Sequence, residues 1–305
     1  MASTIHYASC PICGSEKIEH YLKATDYTVS KKIFSIWKCN ACNGMFTQDV
    51  PDQESIGPYY KSENYISHTN TSQGLINRLY QIVRKRTLRQ KRKLICKIAR
   101  RKKGTLLDIG SGTGAFVNEM KQNDWNVTGL EPDEGARKIA KESLDCELKT
   151  IDELFYLPAN AFDVITLWHV LEHVHDLHGY LQQFKKLLKK DGQLVIAVPN
   201  YTSFDASVYK EYWAAYDVPR HLYHFSPLSM KLLIDKNGMR IAELKPMWFD
   251  SFYVSFLSSR YKNARSSGKP GRTNWFAASW NGFISNLAAL FDKKKCSSVI
   301  YIISK

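Results

Sequence analysis

Four cysteines fall in two pairs, Cys10-Pro-Ile-Cys13 and Cys39-Asn-Ala-Cys42, with 25 residues between the pairs. A two-residue gap lets both sulfurs of a pair reach one ion, and two such pairs supply the four soft donors that Zn(II) takes in a tetrahedron. All four positions are then filled by protein, so a zinc held here is structural. Gly14 and Gly44 follow the two knuckles. Disulfides or free thiols are the alternative, and a reducing compartment disfavours the first. Cys96, Cys146 and Cys296 are scattered and read as ordinary thiols. A second group is His169, Glu172 and His173, spaced so that one helical turn can present all three. His221 and His224 stand in Pro219-Arg-His-Leu-Tyr-His-Phe-Ser226. Imidazoles and a carboxylate can take a proton from an acceptor or hold a divalent ion. They can equally be hydrogen-bonded structural groups, with Glu172 and His173 only capping and orienting the turn. The third group is Asp108-x-Gly110-Ser111-Gly112-x-Gly114, with Glu131 seventeen residues beyond the last glycine.

These groups need elements to carry them, and the apolar runs supply those. Residues 105–109, 125–130, 146–149, 162–167 and 193–198 read as strands, with helices at 115–123 and 134–143 between the first three. A helix at 227–237, a strand at 240–244 and a last strand at 298–303 complete the pattern. Strands alternating with helices predict a parallel, doubly wound α/β sheet, here of seven strands. The glycine loop sits at a strand-to-helix turn, where backbone amides can approach a ligand closely, and Glu131 ends the next strand, where a carboxylate can take both hydroxyls of a ribose. In a dinucleotide loop the third glycine comes one residue later. The earlier glycine and the preceding Asp108 suit a ligand with an amino-acid portion better than a pyrophosphate.

The chain has 305 residues, 44% hydrophobic and 24% charged, with 43 Lys and Arg against 29 Asp and Glu for a net charge of +14. A collagen-like or wholly disordered chain is excluded. No run of 18 apolar residues occurs and residues 1–10 lack a signal-peptide pattern, so a cytoplasmic location is expected. Thirteen Lys or Arg lie between positions 78 and 103, and no acid occurs from 64 to 107. Ile76, Leu79, Tyr80, Val83, Leu94, Ile95 and Ile98 form one apolar stripe within that segment, so it reads as an amphipathic helix with a basic face. That face is either simply solvated or a contact for phosphate-bearing substrate, anionic lipid or RNA. The expected division is a zinc ribbon at 1–50, a linker with the basic helix at 51–103, and the α/β domain at 104–305 with an insert at 248–295. The linker carries Pro58-Tyr59-Tyr60 and Tyr65, which can pack it down. Within the insert, residues 275–291 are uncharged and end in Asp292 and three lysines, a pattern that fits a lid over a pocket or an interfacial helix taking a lipid-linked substrate.

The stretch from 104 to about 244, with the terminal strand, resembles the class I S-adenosylmethionine-dependent methyltransferases. Phe162-Asp-Val-Ile-Thr-Leu-Trp-His-Val-Leu-Glu-His-Val174 is similar to the segment of ubiquinone-pathway O-methyltransferases and of small-molecule and sugar methyltransferases, and Asp191-Gly192 to the turn before their fifth strand. The resemblance implies a Rossmann-like sheet and S-adenosylmethionine as cofactor. It places Asp108, Gly110 and Gly112 at the methionine portion, Glu131 at the ribose and Ile151 with Asp152 at the adenine, with Ser111, Gly114, Pro132 and Trp168 completing the set. His169, Glu172 and His173 are similar to a Glu-x-x-Glu-His segment that holds a divalent ion in some O-methyltransferases, His169 replacing the first Glu. Methyl transfer to oxygen of a small, glycosidic or lipid-linked acceptor is the activity implied. RNA methylation, with the ribbon and the basic helix on phosphates, and an inactive cofactor-binding module that recruits a partner are the alternatives.

Overall fold

In a computed structural model of the chain, the described residues are 3–60, 75–248, 250–267 and 273–305; Tyr65 of the linker and residues 268–272 of the insert lie outside them. The first strands are β1 (Thr4–Ile5), β2 (Ile18–Thr25), β3 (Ile33–Cys39), β4 (Met45–Thr47) and β5 (Val50–Pro51), followed by the basic helix α1 (Leu75–Ile98). Next come β6 (Thr105–Ile109), α2 (Ala115–Lys121), β7 (Asn126–Leu130), α3 (Glu134–Leu144), β8 (Phe162–Trp168), α4 (Leu177–Leu187) and β9 (Leu188–Pro199). The remainder is α5 (Phe204–Tyr209), β10 (Tyr223–His224), α6 (Pro227–Lys236), β11 (Arg240–Pro246), α7 (Asp250–Ser267), α8 (Trp275–Phe291) and β12 (Ser298–Ser304).

The main sheet has six strands where the sequence predicts seven, in the order β11-β12-β9-β8-β6-β7. β6 pairs in parallel with both β7 and β8. The difference is residues 146–149, where Leu130 and Lys149 form only an isolated bridge. The chain leaves α3 through the left-handed Asp145, with φ 46°, and only Lys149 of the stretch comes into register with β7. Lys149 still donates to Gly129 O and accepts from Glu131 N, at 3.0 and 2.9 Å. Asp191 and Gly192, read as a turn, lie inside β9. β8 is buried along all but its last residue, as a central parallel strand must be when both faces are covered.

The chain forms two compact units. One comprises Tyr65–Trp168, Leu181–Val195 and Ile303–Lys305, and it holds the glycine loop. There Asp133 caps α3 by accepting from Ala136 N at 2.6 Å, with Glu134 in the first turn complementing the helix dipole. The other comprises Met1–Asn64, His169–Tyr180 and Ile196–Ile302, so the cysteine pairs and the histidines share one unit. Its second sheet runs β10-β4-β3-β2. In it Tyr223 pairs with Phe46 and His224 with Met45, which stitches the 219–226 segment onto the ribbon.

Candidate functional site

The four cysteine sulfurs lie within 4.8 Å of one another, with Cys10 to Cys42 and Cys13 to Cys39 each at 3.6 Å. Those separations rule out disulfides and match the edges of a tetrahedron of thiolates about 2.3 Å from a central zinc. Each knuckle is closed by a backbone bond, Gly14 N to Cys10 O at 2.8 Å and Asn43 N to Cys39 O at 2.9 Å. A Cβ on Gly44 would stand 2.5 Å from Ile12 Cδ1 and 3.3 Å from Cys42 Sγ, so a side chain there would have to displace the buried Ile12. The hydrogen bond from Cys42 draws the Cys10 thiol down to about 5 and pushes Cys42 up. The residues present therefore fit a structural Zn(II).

In the α/β unit, Gly110, Gly112 and Gly114 all adopt positive φ. At Gly112, φ is 53° and nothing lies within 4 Å of where a Cβ would stand, which leaves the loop's backbone open to a ligand. Glu131 is buried at the end of β7 and spans the loop: its Oε2 accepts from Gly112 N at 2.7 Å and its Oε1 from Asp133 N at 3.0 Å. Asp108 is buried, and loss of water pushes its carboxyl up to about 6 despite the hydrogen bond it accepts from Thr166 Oγ1 at 2.6 Å. Trp168 stands edge-on to Phe116, 5.7 Å between centroids, and its buried Nε1 has no hydrogen-bond partner among the described residues. The Lys91 ammonium from α1 lies 4.2 Å from the Trp168 ring centroid and is attracted to Asp108. Ser111 is buried, Ile151 half-buried, and Pro132 and Asp152 exposed. Lys91 and Thr166 were not among the expected site residues; Lys91 was hidden in the charge run, where nothing in the pattern distinguishes it.

The other unit gathers the histidines around Glu172. That residue is wholly buried, and neither carboxylate oxygen has a hydrogen-bond partner among the described residues. His169 Nδ1 stands 3.5 Å from its Oε1. Burial opposes its ionisation, yet the facing His169 imidazole holds it below the ordinary glutamate range. Ligand atoms of Glu172, His173 and His221 lie within 4.8 Å of one another, whereas the trio expected from spacing contained His169. The reason is geometric: Leu171–His173 is a single 3-10 turn rather than an α-helix, and His169 precedes it with φ 59°. His169 Nδ1 still faces Glu172, and its Nε2 lies 3.9 Å from Asp250.

Backbone carbonyls fix both remaining rings. His173 Nδ1 is 3.0 Å from Arg220 O and His221 Nδ1 is 2.8 Å from Ala215 O. A carbonyl only accepts, so each Nδ1 carries a proton. The two rings meet edge to face at 4.6 Å, and burial holds His173 down at about 4, neutral at physiological pH. Tyr60 Oη lies 3.0 Å from His173 Nδ1, a neighbour that the sequence showed only as part of an aromatic linker. His224 stands outside the ligand-distance group; its Nε2 is 3.1 Å from Thr47 Oγ1 and its ring is edge-on to Tyr216.

Arg220 fixes this arrangement from beneath. Fully buried, it donates to Asp217 Oδ1 at 2.6 Å, Asp217 Oδ2 at 2.9 Å, Asp26 Oδ1 at 3.1 Å and Tyr59 O at 2.9 Å. Its carbonyl orients His173, and Leu222 N donates to Glu172 O at 2.8 Å. The ribbon, the tyrosine turn and the 217–222 segment are thus pinned to one guanidinium.

A family model described as a methyltransferase domain matches residues 80–244. A ubiquinone biosynthesis O-methyltransferase of Actinobacillus pleuropneumoniae serotype 7 is 39% identical over 108 residues, which is 32% of this chain and 46% of that protein. An uncharacterized methyltransferase of Alkaliphilus oremlandii is 32% identical over 114 residues, covering 36% and 51%. The human mitochondrial ubiquinone biosynthesis O-methyltransferase is 24% identical over 164 residues, covering 48% and 44%. The chain spans about half the length of the curated relatives it matches.

Proposed function

The chain belongs to the methyltransferase domain family, and on that premise we propose that it transfers a methyl group from S-adenosylmethionine to an oxygen of a small, glycosidic or lipid-linked acceptor. The observation that carries the cofactor half is the Gly112 to Glu131 bond at a loop open to ligand. Asp108 would hold the amino group of the methionine portion and Glu131 the ribose hydroxyls, both as charge-assisted acceptors. When bound, the cofactor supplies an electrophilic methyl carbon on a sulfonium. The acceptor half rests on the Glu172, His173 and His221 cluster. His173 Nε2 is available to take a proton because its ring is neutral and its other nitrogen is occupied. Glu172 stabilises the imidazolium that then forms. Alignment of acceptor and donor supplies the rest of the rate.

The same three residues also fit a divalent ion, with two imidazoles held in the ligand tautomer and a buried carboxylate that has no hydrogen-bond partner among the described residues. Such an ion would lower the pKa of an acceptor hydroxyl. The oxygen acceptor is favoured by the O-methyltransferase relatives, whose acceptors are their own.

Calorimetry tests the cofactor assignment. Wild-type protein should bind S-adenosylmethionine and not NADH, and Glu131→Ala should weaken binding about tenfold or more, from roughly 1.5 to 3 kcal/mol per charged contact. Tight NADH binding with none for the methyl donor reverses it.

A further inference from the structure

The large side chains of α8 face away from the protein. Its inner face is Ala278, Gly282, Ser285 and Ala289, all buried, and a Cβ on Gly282 would stand 2.7 Å from Phe252 Cδ1. Two of its polar side chains are turned inward as well: Ser285 Oγ donates to Asp205 Oδ1 at 2.8 Å and Asn281 Nδ2 to Tyr209 Oη at 3.1 Å. Outward stand Phe276, Trp280, Phe283, Leu287, Leu290 and Phe291, exposed by 83, 57, 51, 37, 67 and 86%. Their three- and four-residue spacing makes one stripe along a helix of 17 residues, roughly 25 Å. A helix folded over its own pocket would turn these rings inward.

We infer that α8 is an interfacial helix that lays this stripe into the headgroup region of an anionic lipid bilayer. Three observations select that occupant. The helix carries no charge of its own and is followed by its C-cap Asp292 and then Lys293, Lys294 and Lys295, all exposed, a net positive end where lipid phosphates would meet the lysines. Aromatic rings, Trp280 among them, are the side chains that settle at a bilayer interface. The chain's +14 charge is drawn to an anionic surface and repels a second copy. No helix among the described residues is long and apolar enough to cross a membrane, so the contact is peripheral. The inference does not rest on methyl transfer and can fail while that reading stands.

The test is flotation of the full chain with vesicles of phosphatidylcholine alone or mixed with phosphatidylglycerol. The protein should float with the mixed vesicles, less at high salt, and weakly with the neutral ones. Trp280→Glu with Phe283→Glu should lower partitioning more than about tenfold, with zinc content unchanged as the sign of an intact ribbon. Lys293→Glu, Lys294→Glu and Lys295→Glu together should remove the preference for anionic lipid. Acyl chains carrying bromine should quench tryptophan fluorescence of the unaltered protein, which needs no variant. Wild-type protein that stays unbound to both vesicles and unquenched overturns the inference. So does a soluble dimer that the Trp280 and Phe283 changes convert to monomer without any vesicle binding.

Discussion

Glu172 and Asp108 are both buried carboxylates, and their surroundings push them in opposite directions. Asp108 is raised to about 6 by burial, so below that pH it is protonated and cannot accept charge-assisted bonds from an amino group. Affinity for S-adenosylmethionine should therefore rise with pH through about 6, and Asp108→Asn should remove that dependence; calorimetry across the range measures it. A pH-independent wild type would detach Asp108 from the cofactor. His173 is held down at about 4 from 6.5. Its neutral form is the folded one, so the unfolded chain binds the extra proton between those values. Stability is then fully present above about 6.5 and falls by up to one proton's slope as pH drops toward 4. His173→Asn should flatten that part of a urea-unfolding profile. In turnover, His173→Asn or His221→Ala should cost about 100-fold or more in kcat with cofactor affinity unchanged. A chelator that leaves the ribbon zinc bound separates base from metal: loss of turnover restored by Mg(II) or Mn(II) assigns the cluster to an ion, and indifference assigns it to the proton.

At the scale of elements, spacing revealed what is local and missed what is assembled. The two cysteine pairs and the strand-loop-helix around Gly112 were legible because each is set by neighbours in sequence. β10 was not: two residues, Tyr223 and His224, carry no periodicity, and only their pairing with Phe46 and Met45 makes them a strand. α4 escaped because Leu177–Leu187 runs straight into β9 with no glycine or proline to mark the change. The strand expected at 146–149 meets β7 only through the Leu130–Lys149 bridge. Zinc should be present at one ion per chain by elemental analysis, and Cys39→Ser should lose it and loosen the ribbon, since the metal supplies much of a small domain's folding free energy. A zinc-free protein with four titratable thiols would contradict this. Arg220→Leu strands Asp26 and Asp217 without their shared cation, at a cost of about 3 to 5 kcal/mol in denaturant unfolding.

Over the whole molecule, charge pattern predicted less than position. Of the basic run, Arg92 pairs with Glu119 at 2.8 Å, Arg101 with Asp163 at 2.7 Å and Lys103 with Asp124 at 3.2 Å, so part of the apparent patch is spent on the protein's own acids. The sequence reading of α8 as a lid or interfacial helix left open which way its rings face, because a run without charge shows no polar face to orient it. The family assignment was legible from Asp108 to Glu131 and the segment after β8, whereas Tyr60 reaches His173, and Asp26 reaches Arg220, across more than a hundred residues of chain. The most direct measurement is transfer of a radiolabelled methyl group from S-adenosylmethionine into fractionated cell extract, with His221→Ala beside the wild type. Label should enter an ether of the small-molecule, glycoside or lipid fraction, about 100-fold less with the variant. Label confined to RNA, or tight cofactor binding with no label transferred to any fraction, would contradict the account.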